Sequence, residues 1–392
     1  MKSLSKQAVR MPASGIREIM DLAWKTPGCI HMEVGQPDFP TPAHISAAGI
    51  RAIEEGLTQY TPSRGIPPLR EAIYRKLREK NGIEASEENL TVCPGAVMAL
   101  DSSILATVEP QDEVLLADPG WPNPEMMVEL IGATPVHFNL FPERGFLPDT
   151  SQIESLVSPR TKAIVLNSPS NPTGAIFPRA LAEEIYRIAQ RHDLYIISDE
   201  IYEDLVFEGK HFSLACLDRE ERVISVFGVS KSYAMTGWRL GYVVAPIAVS
   251  SVITKLQEPL VSCASSISQA AGVAALNGPQ EDVIQMREAY RRRRDIAVEV
   301  LQRYGLYEYT PGGAFYVMIH VGRLGNDSRE IAKRLLAETK VAVAPGSAFG
   351  RSMCQYVRVS LANSDDEIRE GVERICHFVT NEGNLAVYPS CL

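Results

Sequence analysis

The stretch VISVFGVSKSYAMTGWRLGYVV, residues 223–244, contains the pattern that decides the fold. Its two ends, Val223–Phe227 and Gly241–Val244, are short apolar runs typical of buried strands. Between them Lys231 follows a small-residue turn, and Arg239 comes just before the second run. A lysine at a strand end in apolar and aromatic surroundings is a candidate for a lowered pKa and Schiff-base chemistry. Taken alone, such a lysine is more often an exposed loop residue, and the rest of the segment shifts this balance.

The alternation of strands and helices continues upstream of this stretch. Apolar runs that predict strands occur at Leu90–Cys93, Val114–Ala117, Ala163–Leu166 and Leu194–Ser198. Segments with helical spacing separate them, for instance residues 181–189. Short apolar runs that alternate with helices predict an α/β fold, in which a mostly parallel sheet is covered by helices on both faces.

The pattern changes from about Tyr290 onward. A long helix is followed by a strand near Ala314–Ile319, another helix, and short strands near Val341–Val343 and Tyr356–Val359. This order of elements predicts a second, smaller α+β domain.

The domain boundaries follow from these patterns. We expect a large domain at residues 46–284 and a smaller, discontinuous domain at residues 1–45 and 285–392. Within the first part, Thr41 and Pro42 are expected to cap and open a helix. Residues from about 381 to 392 show little periodicity, so we expect a tail there.

Composition excludes several classes of protein. The 392 residues include 39 basic and 48 acidic side chains, for a net charge of -9, which argues against binding to nucleic acid or anionic lipid. The densest basic run, Arg291–Arg294, is predicted to be a solvated helix face. No apolar run approaches the roughly 20 residues of a membrane-spanning helix, so no membrane partner is expected.

The seven cysteines are scattered, without a CxxC pair or a nearby histidine at metal-ligand spacing. We therefore expect reduced thiols and no bound metal. The N-terminal residues lack the apolar stretch of a signal peptide. Together these features predict a soluble, cytoplasmic protein.

Residues 230–242, SKSYAMTGWRLGY, closely resemble the class I/II aminotransferases, which are fold-type I enzymes dependent on pyridoxal 5'-phosphate (PLP). The family pattern is Ser-Lys, several residues, then Gly-x-Arg-x-Gly, and the resemblance extends from about Gly35 to Ala362. It implies a large domain with a mostly parallel seven-stranded sheet, and PLP as the cofactor. It also implies that Lys231 forms a Schiff base (aldimine) with PLP and that Arg239 binds the phosphate, which suits a guanidinium.

Two further segments match cofactor-binding motifs of the family. In NSPSNPTG, residues 167–174, the resemblance places Asn171 on the 3'-oxygen of the cofactor. In SDEIY, residues 198–202, Asp199 ends a wholly apolar strand, where an unpaired carboxylate is costly. The resemblance implies that Asp199 pairs with the protonated pyridine nitrogen and that Tyr202 bonds the 3'-oxygen. Read without the resemblance, a turn and a helix cap explain these residues equally well.

The phosphate is expected to have several ligands. The strand Leu90–Cys93 runs into a small-residue helix entry, and a helix N-terminus attracts anions. By family position the backbone N–H groups of Ala96 and Val97 bind the phosphate, together with the hydroxyl of Ser230. Tyr60 matches the tyrosine that reaches the phosphate of the neighbouring subunit, which implies a homodimer.

The resemblance also assigns substrate-binding residues. Trp121 matches the aromatic residue that stacks on the pyridine ring, and Gly35 matches the glycine that lies against the substrate. Arg358 sits in an apolar strand, so it should have an anionic partner or reach an aqueous cleft. In the family the equivalent arginine binds the substrate's α-carboxylate, with Asn171 beside it.

These residues predict an aminotransferase that moves the amino group of an L-amino acid to a 2-oxo acid by a ping-pong mechanism, with Lys231, Asp199 and Tyr202 as catalytic residues. A β-eliminating carbon–sulfur lyase on the same fold is the main alternative, and a ligand-sensing module without catalysis is a third. The sequence does not determine which amino acid and which oxo acid are the substrates. Arg64 is a candidate for binding a distal carboxylate or else a surface arginine, and residues 14–17 resemble the N-terminal segment of aromatic or broad-range relatives.

Overall fold

The computed structural model describes residues 2–12 and 14–385, which form an α/β fold around two sheets. The strands are β1 Ile30–Met32, β2 Leu90–Cys93, β3 Glu113–Asp118, β4 Thr134–Asn139, β5 Thr161–Asn167, β6 Tyr195–Asp199, β7 Val223–Gly228, β8 Gly241–Val244, β9 Tyr316–His320, β10 Val341–Pro345 and β11 Tyr356–Ser360. The helices are α1 Lys6–Arg10, α2 Gly15–Ala23, α3 Ala43–Glu54, α4 Pro67–Lys76, α5 Ala96–Thr107, α6 Asn123–Leu130, α7 Thr150–Ser155, α8 Arg179–Arg191, α9 Ile247–Leu260, α10 Ser266–Asn277, α11 Glu281–Arg303, α12 Ser328–Thr339 and α13 Asp365–Leu385.

The larger sheet has seven strands in the order β2-β8-β7-β6-β5-β3-β4. All neighbours pair in parallel except β8, which is antiparallel to both β2 and β7. Alternate residues of a central strand face opposite sides. In β5, Ala163 and Val165 pack in the cluster that contains α5, whereas Ile164 and Leu166 pack in the cluster that contains α8. The predicted mostly parallel sheet with helices on both faces is confirmed.

The smaller sheet has four strands in the order β1-β10-β11-β9. β1 is parallel to β10, and the other two pairings are antiparallel. Helices α2, α11, α12 and α13 contact this sheet and supply much of its apolar core. It belongs to the smaller α+β unit that the change of pattern predicts.

Two strands were not anticipated from the apolar runs. β4 lies at the edge of the large sheet and has only one buried residue, so its sequence TPVHFN shows no apolar run. β1 is three residues long and its central residue, His31, is exposed. Edge and very short strands carry little of the hydrophobic signal on which strand prediction depends.

Two local predictions need correction. Helix α3 begins one residue later than expected, because Pro42 is the N-cap residue while the Thr41 hydroxyl donates to Ala234 O at 2.7 Å. Helix α13 continues through Leu385, so the predicted tail cannot begin at 381, and residues 386–392 lie outside the described residues. We propose the large unit at residues 46–284; helices α3 and α11 run across its two boundaries.

The basic run Arg291–Arg294 is only half solvated, so that prediction is wrong for two of its members. Arg293 and Arg294 are buried. Arg293 donates to both oxygens of Asp38 at 2.9 and 2.8 Å, and Arg294 donates to Pro311 O at 2.9 Å. Buried guanidinium groups need such partners, and these hydrogen bonds connect α11 to the loops that contain Asp38 and Pro311.

The fold brings the ends of three strands together. Asn167 at the end of β5 lies opposite Asp199 at the end of β6, and Asp199 lies opposite Val226 of β7. Ligands of parallel sheets bind beyond the carboxyl ends of the strands, so this edge is the expected place for a site. In the part of the chain described, no helix is long and apolar enough to cross a membrane.

Candidate active site

A cavity of about 540 Å³ lies at this edge of the large sheet. Residues from both sheets line it, including Asn167, Asp199 and Lys231 from the large unit and Tyr316 and Arg358 from the small one. Helix α2 forms a further part of its wall. A cleft between two units, with charged groups converging from both, is a typical place for a small-molecule site.

Lys231 follows β7 and points its amine into this cavity. Its Nζ donates a hydrogen bond to Gly35 O at 2.7 Å. Burial lowers the pKa of the Lys231 amine, the positive charges of Arg358 and Arg239 lower it as well, and Asp199 opposes them. Together they bring the pKa to about 8. The neutral, nucleophilic form is therefore accessible near neutral pH.

Asp199 ends β6 with its carboxylate buried. Its Oδ1 accepts a hydrogen bond from Ile201 N at 3.2 Å. Burial raises the pKa of Asp199, the nearby Glu200 raises it as well, and the Ile201 N–H and Lys231 act in the opposite direction. Together they bring the pKa to about 7. No lysine, arginine or histidine within residues 2–12 and 14–385 forms an ion pair with it. A cation placed at this carboxylate would supply the missing partner.

An asparagine pair connects the strand ends to Arg358. The Asn167 amide donates to Asp199 O at 3.1 Å and accepts from Asn171 N at 2.7 Å. The Asn171 side-chain oxygen in turn accepts from Arg358 Nη1 at 3.1 Å. Asn167 thereby fixes the position of Asn171 relative to Asp199.

Arg358 lies on β11 and is buried. Its Nη2 donates to Glu33 O at 2.7 Å, and its guanidinium lies over the rings of Tyr316 and Phe349, at 4.4 and 4.6 Å from their centres. Its Nε has no hydrogen-bond partner and no carboxylate pairs with it among the described residues. From the sequence, Arg358 was expected either to have an anionic partner or to reach an aqueous cleft. It reaches the cleft, so its charge is available to an anionic ligand.

The tyrosine pair Tyr202 and Tyr316 packs beside Lys231. Their hydroxyl groups lie 2.8 Å apart, and burial raises the pKa of Tyr202 well above its usual value. A Cβ at Gly35 would lie 2.2 Å from the Tyr316 hydroxyl, so only glycine fits this position without a shift. Because burial raises the pKa of both tyrosines, both hydroxyls stay neutral hydrogen-bonding groups at physiological pH.

The opposite end of the cavity suits an anion. Ala96 and Val97 form the first turn of α5, where an α-helix leaves N–H groups without internal partners. Arg239 lies against Gly95: a Cβ on Gly95, whose φ is +90°, would come within 2.5 Å of Arg239 Nη2. The Ser230 side chain lines the same cavity. Glycine at position 95 thus allows a guanidinium to approach the helix N-terminus closely.

The structure brings eleven of the twelve predicted site residues to one cavity: Gly35, Ala96, Val97, Trp121, Asn171, Asp199, Tyr202, Ser230, Lys231, Arg239 and Arg358. Tyr60 lies elsewhere, with 89% of its surface exposed. Arg64 does not line the cavity either. Its Nη1 donates to the carbonyl oxygens of Glu88 and Leu90 at 3.0 and 3.1 Å and to Ser250 Oγ at 3.1 Å.

Sequence reasoning missed Asn167, Tyr316 and the cavity-facing residues of α2. Asn167 was visible as the first residue of NSPSNPTG, and Tyr316 as the last of PGGAFY. For α2 the signal was the segment at residues 14–17, whose resemblance to the N-terminal segment of relatives assigns no role to its side chains.

Comparison with known proteins shows the family of the chain. The family model Aminotransferase class I and II matches residues 27–375. The aspartate/prephenate aminotransferase of Thermus thermophilus is 38% identical over 381 residues, covering 95% of this chain and 98% of the relative. The chain belongs to this family of class I and II aminotransferases.

A further relative and a solved structure are similar to this chain over almost its whole length. Aromatic-amino-acid aminotransferase 2 of Thermococcus litoralis is 36% identical over 378 residues, covering 95% of this chain and 97% of the relative. The structure of aspartate aminotransferase from Thermus thermophilus with maleate superposes with a TM-score of 0.92 at 38% identity, covering 96% of this chain and all of the other. The protein is thus a fold-type I, PLP-dependent aminotransferase that acts on amino and oxo acids, as the sequence predicted.

The residues present fit PLP. The unpaired, buried Asp199 matches the cationic ring nitrogen, the helix entry with Arg239 matches the phosphate, and the Lys231 amine matches the aldehyde. Among the described residues no group of three or more His, Cys, Asp or Glu side chains is arranged to hold a metal ion.

Proposed function

We propose that the aminotransferase carries out its reaction at Lys231, with an L-amino acid and a 2-oxo acid as alternating substrates in a ping-pong mechanism. The observation that carries this proposal is the convergence of three groups in one cavity: a lysine amine with a pKa lowered to about 8, an unpaired buried Asp199 carboxylate, and an Arg358 guanidinium without a carboxylate partner. When bound, PLP supplies an aldehyde that condenses with amines and a cationic ring that withdraws electrons from the substrate's α-carbon.

The cofactor would be held at both of its ends. Lys231 would bind its aldehyde carbon, and Asp199 would keep its ring nitrogen protonated. Asn171 and Tyr202 would donate to the 3'-oxygen, and Trp121 would cover one face of the ring. The phosphate would be bound by Arg239, by the Ser230 hydroxyl and by the N–H groups of Ala96 and Val97.

The substrate would be oriented by the small unit. Arg358 is placed to bind the α-carboxylate with the help of the Asn171 amide, next to the backbone of Gly35. Both contacts restrict rotation of the amino acid, so that its Cα–H bond faces Lys231. Lys231 Nζ would then accept the α-proton in one half-reaction and return a proton to the α-carbon in the other.

The identity of the amino donor is not fixed by these residues. Relatives of this chain are named for aspartate and prephenate and for aromatic amino acids. The α-carboxylate site described above is common to all such substrates, because every one of them carries that group. Discrimination must therefore arise elsewhere in the cavity.

We further propose a homodimer in the cytoplasm. Tyr60 is exposed and does not line the cavity of its own chain, and Ile53 and Leu57, which are close to it in the sequence, are also exposed apolar side chains. A partner subunit would cover this surface and receive the Tyr60 hydroxyl at its phosphate site. The six cysteines in the described part of the chain are all unpaired, which favours a reducing compartment.

A single-substrate experiment tests the proposed reaction against β-elimination. Holoenzyme is mixed with an amino acid that carries a leaving group on its β-carbon, such as an S-alkylcysteine, without any oxo acid, and the products are quantified. We expect one equivalent of pyridoxamine phosphate and one of oxo acid per active site, because the reaction stops after the first half. Many turnovers that release ammonia and pyruvate would contradict transamination and support the lyase.

A further inference from the structure

Helix α2 forms a part of the cavity wall that the mechanism does not use. Four of its side chains line the cavity: Ile16, Arg17, Met20 and Trp24, the last at the C-cap. Ile16, Met20 and Trp24 are spaced four residues apart, so they follow one face of the helix. This face is apolar, and Arg17 lies at its edge.

The other face of α2 holds the helix in place. Ile19 and Ala23 are fully buried in the core of the small unit. Glu18 accepts from Arg329 Nε at 3.1 Å and pairs with Lys333 at 3.1 Å, both on α12. The helix is therefore anchored independently of its cavity-facing side chains. Trp24 in particular is 70% exposed, although burial of a side chain of this size is strongly favourable.

Among the described residues, Arg17 is the one charged group lining the cavity that has no assigned task. The others are Asp199, Lys231, Arg239 and Arg358. The Arg17 backbone N–H bonds the Ser14 hydroxyl at 3.4 Å, but its guanidinium has no hydrogen bond or ion pair with any described residue. The alternative cation considered from the sequence, Arg64, is already bound to backbone carbonyls away from the cavity.

We propose that Arg17 determines specificity by binding the second carboxylate of a dicarboxylic substrate, while Ile16, Met20 and Trp24 contact the side chain of an apolar or aromatic amino acid. This proposal rests on the proposed function and names the substrate classes of that site. The described residues that line the cavity include no carboxylate besides Asp199, so they offer no partner for a basic side chain.

The exposure of Arg17 explains how one wall can serve both classes. A distal carboxylate would form charge-assisted hydrogen bonds with the guanidinium. An apolar side chain would leave the guanidinium in water, where its charge is solvated, and would bury its own surface against the three apolar side chains. No residue has to move out of the core in either case.

The first test compares acceptors with and without the second carboxylate. In R17Q, we expect kcat/KM for 2-oxoglutarate to fall about 10- to 100-fold, mainly through KM, as expected for the loss of a charge-assisted hydrogen bond. The loss for 2-oxopentanoate, which has the same number of carbons without the distal charge, should be at least about tenfold smaller. K25Q is the matched control, because Lys25 is exposed near α2 and does not line the cavity.

The outcomes separate the two proposals. Equal losses on both acceptors, or no loss on 2-oxoglutarate, would overturn the role of Arg17 while leaving the transaminase intact. Wild-type enzyme that forms no pyridoxamine phosphate from any amino acid would overturn the proposed function itself, and this inference with it.

The second test concerns the apolar face. M20Q keeps the length of the side chain but adds a polar group that an apolar substrate cannot satisfy. We expect kcat/KM for phenylalanine to fall about 5- to 10-fold and the value for aspartate to fall much less. A larger loss for aspartate than for phenylalanine would contradict the assignment of this face.

Discussion

The two ends of the cavity are built differently. At the cofactor end, Asp199, Asn171 and Lys231 are each fixed by at least one hydrogen bond to the backbone or to a neighbouring side chain. At the α2 end, the Arg17 guanidinium has no partner among the described residues and Trp24 is mostly exposed. Chemistry that every substrate shares needs fixed groups, whereas recognition of varied side chains tolerates loosely held ones. We expect substitutions at these two ends of the cavity to differ in their effects.

Substitution of Lys231 should have the largest effect. K231A removes the amine that binds the cofactor and moves the proton, so we expect turnover to fall by at least about 1,000-fold. Because Arg239 and Asp199 remain, the variant should still bind PLP, which equilibrium dialysis would measure. K255A, at an exposed position on α9, is the control. Near-normal turnover in K231A would eliminate the proposed mechanism.

Removal of the Asp199 charge should have the next largest effect. D199N keeps the shape of the side chain but can no longer hold a protonated ring nitrogen, so we expect kcat to fall about 100-fold or more with a modest change in KM. D199E should restore part of the activity, because it restores the charge at a shifted position. A D199N enzyme with unchanged kcat would show that the carboxylate serves the fold alone.

The lowered pKa of Lys231 predicts a pH dependence. In enzyme stripped of cofactor, the reactive neutral amine should increase about tenfold per pH unit up to the pKa of about 8 and then level off. Labelling with an uncharged amine-reactive reagent, followed by peptide mass spectrometry, measures this directly. An ordinary lysine, with a pKa near about 10.4, would keep gaining reactivity above pH 9. Such behaviour at Lys231 would contradict the influence of burial and the two arginines.

The anchor of α2 should give the smallest effect. Glu18 and its partners Arg329 and Lys333 are a third to a half exposed, and such ion pairs contribute only about 0–1 kcal/mol to the free energy of unfolding. E18Q should therefore shift Tm by only a few degrees and change the KM values for acidic and apolar substrates to a similar extent. A selective loss for one class would show that the ion pair positions Arg17.

Much of the fold and the cofactor end could be predicted from sequence. The strands β5, β6 and β7 are buried on both faces, so their apolar runs stand out, and the motif residues at their ends fall at one sheet edge by topology. Strand β4 was not anticipated, because an edge strand with one buried residue carries little hydrophobic signal.

Other features depended on tertiary contacts that no local pattern shows. Arg293 and Arg294 lie in a run that looks solvated, yet their partners Asp38 and Pro311 come from distant loops. Tyr316 joins the site because β9 pairs with β11, opposite Ser360. In the sequence, Arg17 is only one residue of an N-terminal segment. Its place on the cavity wall depends on the packing of α2.

The most direct measurement locates the covalent bond between cofactor and chain. Holoenzyme is reduced with borohydride, digested and analysed by mass spectrometry. We expect a phosphopyridoxyl group on Lys231, one per chain, with the other lysines unmodified. Absence of the modification, or its presence on a different lysine, would contradict the assignment of this cavity as the active site.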